Sequence, residues 1–214
     1  MKKVVLLGDS IRQGYDKYVK LAFEGEVQVY SPEENSRFAA YALRQLALWR
    51  KQMGCGSDVD LVHWNVGGWD CLHMLDGRPH TDIEVYRDYL VRIHATLNML
   101  FPGAKQIFAT TVAVNEKAYE DLQYKRYNQE VEAYNAAARQ ALEPLGVQIN
   151  DMYPMTNGLP DEYYSHNLTH LYTKEGTKLL TEKVVAAIEK SLGVKSRPLD
   201  YDMLFVMPEK VVGV

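Results

Sequence analysis

The sequence predicts an α/β domain in which a doubly wound, five-stranded parallel sheet is covered by helices on both faces. Five short apolar runs, partly β-branched, alternate with amphipathic helical patterns along most of the 214 residues. Turn-forming residues bound these runs, as is typical of strands buried on both faces. We therefore expect three layers, with functional residues in the loops at the carboxyl ends of the strands, where open α/β sheets bind their ligands.

The predicted strands leave room for a helix between each pair. They are residues 4–7, 27–30, 59–64, 106–112 and 147–149. The first strand runs directly into Gly8, Asp9 and Ser10, which places the Ser10 hydroxyl at the carboxyl edge of the sheet. Because most serines in such a position only cap a helix, a role in catalysis requires a base nearby.

The predicted helices show apolar residues spaced by threes and fours. The clearest pattern extends from Asp82 to Leu100 and stops before Pro102-Gly103. Its inward residues are Ile83, Tyr86, Leu90, Ile93, Leu97 and Leu100. Further helices are predicted after Ser10, from just after Asn35 to Gly54, over residues 127–142 and over residues 174–192.

The last part of the chain departs from this alternation. Arg197-Pro198 ends the final helix, and the segment that follows is unusually apolar, with Leu204, Phe205, Val206 and Met207. We therefore divide the chain into a domain of residues 1–196 and a tail of residues 197–214. The tail is expected to pack either on the domain or on a second copy of the chain, as in a homo-oligomer.

Composition and charge exclude several classes of protein. A net charge of -4 and a pI near 5.9 give no electrostatic reason to expect nucleic acid or a membrane surface as partner. The first apolar run is too short for a signal peptide and no run reaches membrane-spanning length, so we expect a cytoplasmic protein.

Cys55 and Cys71 are too few for a disulfide framework. Gly8 and Gly14 do not form a dinucleotide-binding motif, and the histidine spacing does not suggest a metal site, so neither a cofactor nor a metal is expected.

A serine nucleophile needs a histidine as its base. The six candidates are His63, His73, His80, His94, His166 and His170. His63 and His94 fall within predicted secondary structure, which favours structural roles. His170 lies in the loop before the last helix, and in a doubly wound sheet this loop can return over the end of the first strand. His170 is therefore the best candidate.

Gly8-Asp9-Ser10 after the first strand, with a histidine shortly before the last helix, resembles the SGNH (GDSL) hydrolases, a family of esterases and lipases. The resemblance covers most of residues 3–192. It implies the flavodoxin-like fold of that family, with Ser10 as nucleophile, the backbone N–H of Ser10 as an oxyanion donor and His170 as base.

Two blocks of the family that supply further oxyanion donors are altered. Asn35 stands at the usual glycine of the second block, where its backbone N–H would serve; asparagine tolerates left-handed geometry, and it can also cap a helix. In the third block Trp69 replaces the usual asparagine. Both Trp69 and Asn65, four residues earlier, carry an N–H donor, and we favour Asn65.

The final block is altered as well, because Asn167 replaces the carboxylate that orients the histidine. An amide oxygen can accept the imidazole N–H but cannot stabilise an imidazolium by charge. Asn167 or a backbone carbonyl is the expected orienting group, and Asp161, Glu162 or Asp70 are alternatives as the source of negative charge.

The resemblance implies a serine esterase that acts through an acyl-enzyme on a small-molecule ester. No lid is visible, which favours a short acyl group such as acetyl, and Trp69, Asp70 and His73 suit a polar or carbohydrate alcohol. A binding protein that has lost hydrolysis and an acyltransferase are the alternatives.

Overall fold

Five strands, all parallel, form one sheet in the computed structural model, which describes residues 1–207. The strands are β1 (Lys2–Leu7), β2 (Val27–Tyr30), β3 (Leu61–Trp64), β4 (Lys105–Ala109) and β5 (Gln148–Asn150). Their order is β2-β1-β3-β4-β5. This is the flavodoxin-like order, in which the winding reverses between β1 and β3 and opens a crevice at their carboxyl ends. The predicted fold class is confirmed.

Helices cover both faces of the sheet. They are α1 (Ser10–Ala22), α2 (Ala39–Met53), α3 (Ile83–Leu100), α4 (Asn128–Leu142), α5 (Tyr153–Thr156), α6 (Lys174–Leu192) and α7 (Tyr201–Leu204). Alternate residues of β1 point to opposite faces. Val5 and Leu7 enter the core beneath α2, α3 and α4, whereas Val4 and Leu6 enter the core beneath α1 and α6.

Helix α2 begins at Ala39, three residues later than the sequence suggests. Arg37 has a left-handed backbone (φ 51°), which a helix cannot include, and the Asn35 side chain accepts from its N–H at 2.7 Å. Both carboxylate oxygens of Asp70 lie 3.1 Å from the N–H of Ala39 and satisfy that helix end. Asn35 is therefore a turn residue rather than a helix cap, and the left-handed position expected there belongs to Arg37.

Strand β4 ends at Ala109, earlier than predicted, because the following backbone finds side-chain partners instead of a strand. Asn135 of α4 accepts from the N–H of Thr111 at 2.8 Å and donates to its carbonyl at 2.9 Å. Asn128 makes the same pair of bonds with Val114, both at 2.9 Å. These bonds fix the segment of residues 111–114 at the carboxyl edge of the sheet.

The described part of the tail packs on α1. The N–H of Arg197 donates to the carbonyl of Ala22 at 2.8 Å, and the rings of Tyr201 and Phe205 lie against the ring of Tyr18, with centroids 5.7 and 6.5 Å away. Residues 208–214 of the predicted tail lie outside the described residues. Within residues 1–207, no helix is both long enough and apolar enough to cross a membrane.

Candidate active site

Ser10 and His170 meet at the carboxyl end of β1. Ser10 is the first residue of α1, and the Asp9 side chain caps that helix by accepting from the N–H of Ile11 at 3.0 Å. The Oγ of Ser10 lies 2.8 Å from Nε2 of His170, although the two residues are 160 positions apart in sequence. Their exposed fractions are only 6% and 2%. The arrangement is that of a hydroxyl held against a general base.

The other ring nitrogen of His170 contacts a hydroxyl. Its Nδ1 is 2.8 Å from Oγ1 of Thr169, and the same Oγ1 is 2.8 Å from Oδ1 of Asn167. The backbone N–H of Thr169 also points at this Oδ1, at 3.3 Å, which shows that the oxygen rather than the nitrogen of the amide faces Thr169. Because Thr169 then donates its one hydroxyl proton to Asn167, its oxygen accepts from Nδ1–H of His170. This tautomer leaves a lone pair on Nε2 for the Ser10 proton.

The expectation that Asn167 itself orients His170 therefore needs correction, because Thr169 stands between them. The other proposed sources of charge do not reach His170 either: Asp161 accepts from the side chain of Asn115 at 2.8 Å, Asp70 holds the start of α2, and Glu162 is exposed. The base is thus oriented by neutral groups.

The loop that carries His170 is held tightly against Ser10. Leu168 has a left-handed backbone (φ 59°) and donates to the carbonyl of Ser165 at 2.7 Å, and Ser165 N–H in turn donates to the carbonyl of His170 at 2.6 Å. The hydroxyl of Tyr172 donates to the carbonyl of Ser10. These bonds fix the position of the imidazole relative to the serine.

Burial, with a further contribution from the positive charge of Arg126, lowers the pKa of His170 to about 4. The imidazole is therefore neutral at physiological pH and can accept a proton. His63 is a different case. It is fully buried beneath α1, bonded to Asn150 at 3.2 Å, and burial lowers its pKa to about 4 as well, which agrees with the structural role predicted for it.

Of the three predicted oxyanion donors, Ser10 alone lines the pocket around the serine and histidine. Its N–H is one of the N-terminal amides of α1 that no helical carbonyl can satisfy. The side chain of Asn65 instead faces Asp9, whose charged form it stabilises, and lies so close to the turn that only a glycine fits at position 8. Asn35 lies in the turn before α2, bonded to Arg37. The structure therefore does not support the preference for Asn65 over Trp69, because Asn65 does not line this pocket and its amide is directed at the Asp9 carboxylate.

The three residues assigned to substrate binding separate into different roles. Trp69 lines the pocket and faces a larger neighbouring cavity. Asp70 has no exposed surface and serves the N-terminus of α2, so its assignment to substrate binding is corrected. His73 lines neither cavity, and its N–H instead donates to the carbonyl of Lys125 at 2.8 Å, which joins the loop after β3 to the loop before α4.

Two connected cavities lie at this edge of the sheet. The inner pocket, which contains Ser10 and His170, has a volume of about 30 Å³. The outer cavity has a volume of about 310 Å³ and is lined mainly by apolar and aromatic side chains, including Phe38 and Tyr124. Three residues, Trp69, Tyr119 and Arg126, line both.

Arg126 was not among the predicted residues. It lies in an irregular segment between β4 and α4, where no local pattern distinguishes a cation that faces inward from one in solvent. Its Nη1 donates to the hydroxyl of Tyr119 at 2.8 Å. Thr169 was also missed, although its position directly before His170 and two residues after Asn167 is a usable signal.

Comparison with known proteins supports the same fold. No family model matches the sequence, and no curated protein resembles it significantly. Among solved structures, a lipase/acylhydrolase from Enterococcus faecalis is 19% identical with a TM-score of 0.70, covering 94% of this chain and 100% of that one. The psychrotrophic esterase EstA from Pseudoalteromonas sp. is 14% identical with a TM-score of 0.66, covering 91% and 100%. An acetyl xylan esterase is 16% identical with a TM-score of 0.61, covering 87% and 99%. A GDSL-like lipase from Bacteroides thetaiotaomicron is also similar, at 16% identity and a TM-score of 0.67 over 89% of both chains. The chain therefore has the fold of the SGNH, or GDSL, hydrolases.

Proposed function

We propose that this protein is a serine esterase of the SGNH hydrolase family that removes short acyl groups, above all acetyl, from a polar alcohol such as a carbohydrate. The observation that carries the proposal is the 2.8 Å contact between Ser10 Oγ and His170 Nε2 in a pocket at the carboxyl edge of the sheet. The esterases and lipases among proteins of the same fold support ester hydrolysis as the type of reaction.

The reaction has two stages. Ser10 Oγ attacks the ester carbonyl carbon while His170 Nε2 takes its proton, and the tetrahedral intermediate collapses as the C–O bond to the alcohol breaks and the alcohol oxygen receives that proton. Water then attacks the acyl-enzyme by the same route, giving the free acid and regenerating Ser10. Because Thr169 keeps the Nδ1 proton in place, the imidazole presents the correct nitrogen to Ser10 in both stages.

The negative charge that develops on the carbonyl oxygen needs donors. The N–H of Ser10, at the positive end of the 13-residue helix α1, is suited to this task. Gly68 lines the same pocket directly before Trp69. In our proposal its backbone takes the place of the altered third-block asparagine.

The sizes of the two cavities support a small acyl group and a larger alcohol. A water molecule needs roughly 10–15 Å³ of cavity measured in this way, so the inner pocket of about 30 Å³ has room for about two atoms of that size. An acetyl group has three non-hydrogen atoms, one of which is bonded directly to Ser10 Oγ in the acyl-enzyme, so acetyl is about the largest acyl group that this pocket can take. The outer cavity of about 310 Å³ is large enough for the alcohol portion, and its aromatic walls suit the faces of a sugar ring.

The competing proposal is a binding protein that keeps the cleft without hydrolysis. The observation that favours it is the neutral chain of Thr169 and Asn167 behind His170, where a carboxylate would stabilise the imidazolium. An acyltransferase, in which an alcohol replaces water in the second stage, uses the same residues and differs only in its products.

The experiment that separates these proposals is turnover of 4-nitrophenyl acetate by the wild type and by Ser10→Ala. We expect the variant to lose at least about 10³-fold in kcat/KM, because without its nucleophile the enzyme cannot form the acyl intermediate. Ser196→Ala, a serine far along the chain in the tail connection, serves as the matched control and should keep wild-type rates. Equal rates for wild type and Ser10→Ala would contradict the esterase proposal, and acyl transfer to added alcohols would identify the acyltransferase.

A further inference from the structure

Arg126 is a cation inside the active-site region whose charge is not neutralised by direct contact. Its Nη1 donates to the hydroxyl of Tyr119, and its guanidinium carbon lies 5.4 Å from the centre of that ring. Among residues 1–207, Arg126 takes part in no salt bridge with a carboxylate within 4 Å, and its Nε is buried without a hydrogen-bond partner. Arg126 is half-buried, and guanidinium groups withdrawn from solvent are normally paired with carboxylates or phosphates. The missing partner is therefore expected to arrive with a ligand.

The charged and titratable groups around Arg126 do not fill this role. Asp9 acts on it through space, but the Asp9 carboxylate lies beyond 4 Å and already accepts from Ile11 N–H and interacts with Asn65. Cys71 also faces Arg126, but burial raises the pKa of its thiol to about 12, so it carries no charge at physiological pH.

The position of Arg126 indicates which part of a ligand it meets. It lines the inner pocket with Ser10 and His170, and it also lines the outer cavity with Phe38, Trp69 and others. A group bound to Arg126 therefore lies where the two cavities join, close to the ester bond and on the side of the alcohol.

We propose that Arg126 binds an anionic group, carboxylate or phosphate, on the alcohol portion of the ester, so that the preferred substrates are acylated acids such as acetylated acidic sugars. This inference rests on the proposed esterase function and names its substrate class. A planar guanidinium with free N–H groups can donate two parallel hydrogen bonds to either kind of anion.

The electrostatics of the base agree with this assignment. After burial, the positive charge of Arg126 is the second cause that lowers the pKa of His170, so it disfavours the imidazolium that forms during the reaction. An anion bound to Arg126 offsets this charge. Proton transfer from Ser10 to His170 is then easier with an anionic ester than with a neutral one.

The test compares esters that differ in charge and little else. We would measure kcat/KM for 3- and 4-acetoxybenzoate against the corresponding acetoxybenzamides, with 4-acetoxyphenyl phosphate as the phosphate arm. The wild type should prefer the anionic esters by about 10- to 100-fold, which is the range expected for a charge-assisted hydrogen bond. The carboxylate and phosphate arms show which anion fits better. Equal rates for benzoate and benzamide esters and for the phosphate would overturn the proposal.

Arg126→Gln should remove most of the preference for anionic esters, and Arg126→Lys should keep part of it. With the neutral ester, the acid limb of the pH profile for Arg126→Gln should move to higher pH than in the wild type, since the base regains affinity for a proton. Arg92→Gln is the matched control, because Arg92 is exposed on α3 and paired at 3.6 Å with Asp88. A loss in Arg126→Gln that is equal for anionic and neutral esters would instead show a role in oxyanion binding or in folding, and would overturn the proposal.

A binding measurement separates failure of this inference from failure of the esterase proposal. Calorimetric titration with 4-hydroxybenzoate, 4-hydroxybenzamide and 4-hydroxyphenyl phosphate needs no turnover. Two results support the role of Arg126 even if every ester proves inert. The wild type should bind an anion at least about 10-fold more tightly than the amide, and it should bind that anion more tightly than Arg126→Lys does. If Arg126→Gln does not fold, the wild-type selectivity and the lysine variant still decide, and absence of selectivity in both overturns the inference.

Discussion

At the scale of single residues, the proposed chemistry depends on how Thr169 divides its hydrogen bonds. Its hydroxyl is 2.8 Å from both Nδ1 of His170 and Oδ1 of Asn167, and Oδ1 also accepts from Ser165 at 2.8 Å. Asn167 Oδ1 can only accept, so the Thr169 proton points to it, and His170 donates to the Thr169 oxygen. One neutral hydroxyl thereby selects the tautomer that a carboxylate selects in the catalytic triads of serine proteases.

Replacing Thr169 tests this assignment. Thr169→Val keeps the shape of the side chain but leaves the Nδ1–H of His170 without an acceptor. This should raise the activation free energy by about 1–3 kcal/mol, which lowers kcat by roughly 5- to 150-fold. Thr169→Ser keeps the hydroxyl and should stay within a few-fold of the wild type. Steady-state kinetics on an acetyl ester would measure both, and a fully active Thr169→Val would show that another group orients His170.

At the scale of secondary-structure elements, Asp70 connects the loop after β3 to the start of α2. It is fully buried, and burial raises its pKa to about 7 despite the N–H of Ala39. Because the folded state holds a proton that the unfolded state releases near pH 3.8, the stabilisation from this proton is complete below that pH. It is lost as the pH rises through about 7.

Asp70→Asn isolates this effect, because the amide keeps one oxygen for Ala39 and does not titrate. We expect the free energy of unfolding of the wild type, relative to Asp70→Asn, to fall as the pH rises from about 4 to about 7. Urea denaturation at pH 4.5 and 7.5 would measure the change. Asp76→Asn, in the exposed part of the same loop, is the control, and a difference that rises with pH would mean that Asp70 is charged in the folded protein throughout.

The elements also show what the sequence can and cannot predict. The spacing of Tyr86, Leu90, Ile93 and Leu97 predicted the buried face of α3, because a helical period is a local property. Burial of Asp70 was not predictable in this way, since it depends on the start of α2, 31 residues earlier in the sequence, packing against its loop. Arg126 lies in an irregular segment that shows no periodicity, so its direction could be read only from the structure.

At the scale of the whole molecule, the topology brings together Ser10 and His170, which are 160 positions apart in sequence. The order β2-β1-β3-β4-β5 places β1 in the interior of the sheet, and α6 packs beside α1 on one face, so the loop before α6 returns over Ser10. This is why the fold class, together with the positions of the other histidines, made His170 the best candidate for the base. Its immediate partners depend on side-chain packing within one turn, which the fold class does not specify.

The tail is expected to contribute to the stability of the whole molecule through its contact with α1. Tyr201 is 8% exposed and contacts Tyr18 of α1. Truncation after Ser196 should lower the free energy of unfolding by about 2–3 kcal/mol, as expected for exposing a large buried side chain and its partner. Urea denaturation and light scattering after size-exclusion chromatography would test this together. A stable truncated chain whose oligomer mass decreases would show instead that the tail joins copies of the protein.

The most direct test of the central claim, that His170 activates Ser10 as a nucleophile, is labelling with a serine-directed fluorophosphonate followed by mass spectrometry of the peptide that contains Ser10. We predict one adduct, on Ser10, in the wild type, none in Ser10→Ala, and labelling at least about 100-fold slower in His170→Ala because the general base is missing. An unlabelled wild type, or equal labelling rates in the wild type and His170→Ala, would contradict the account.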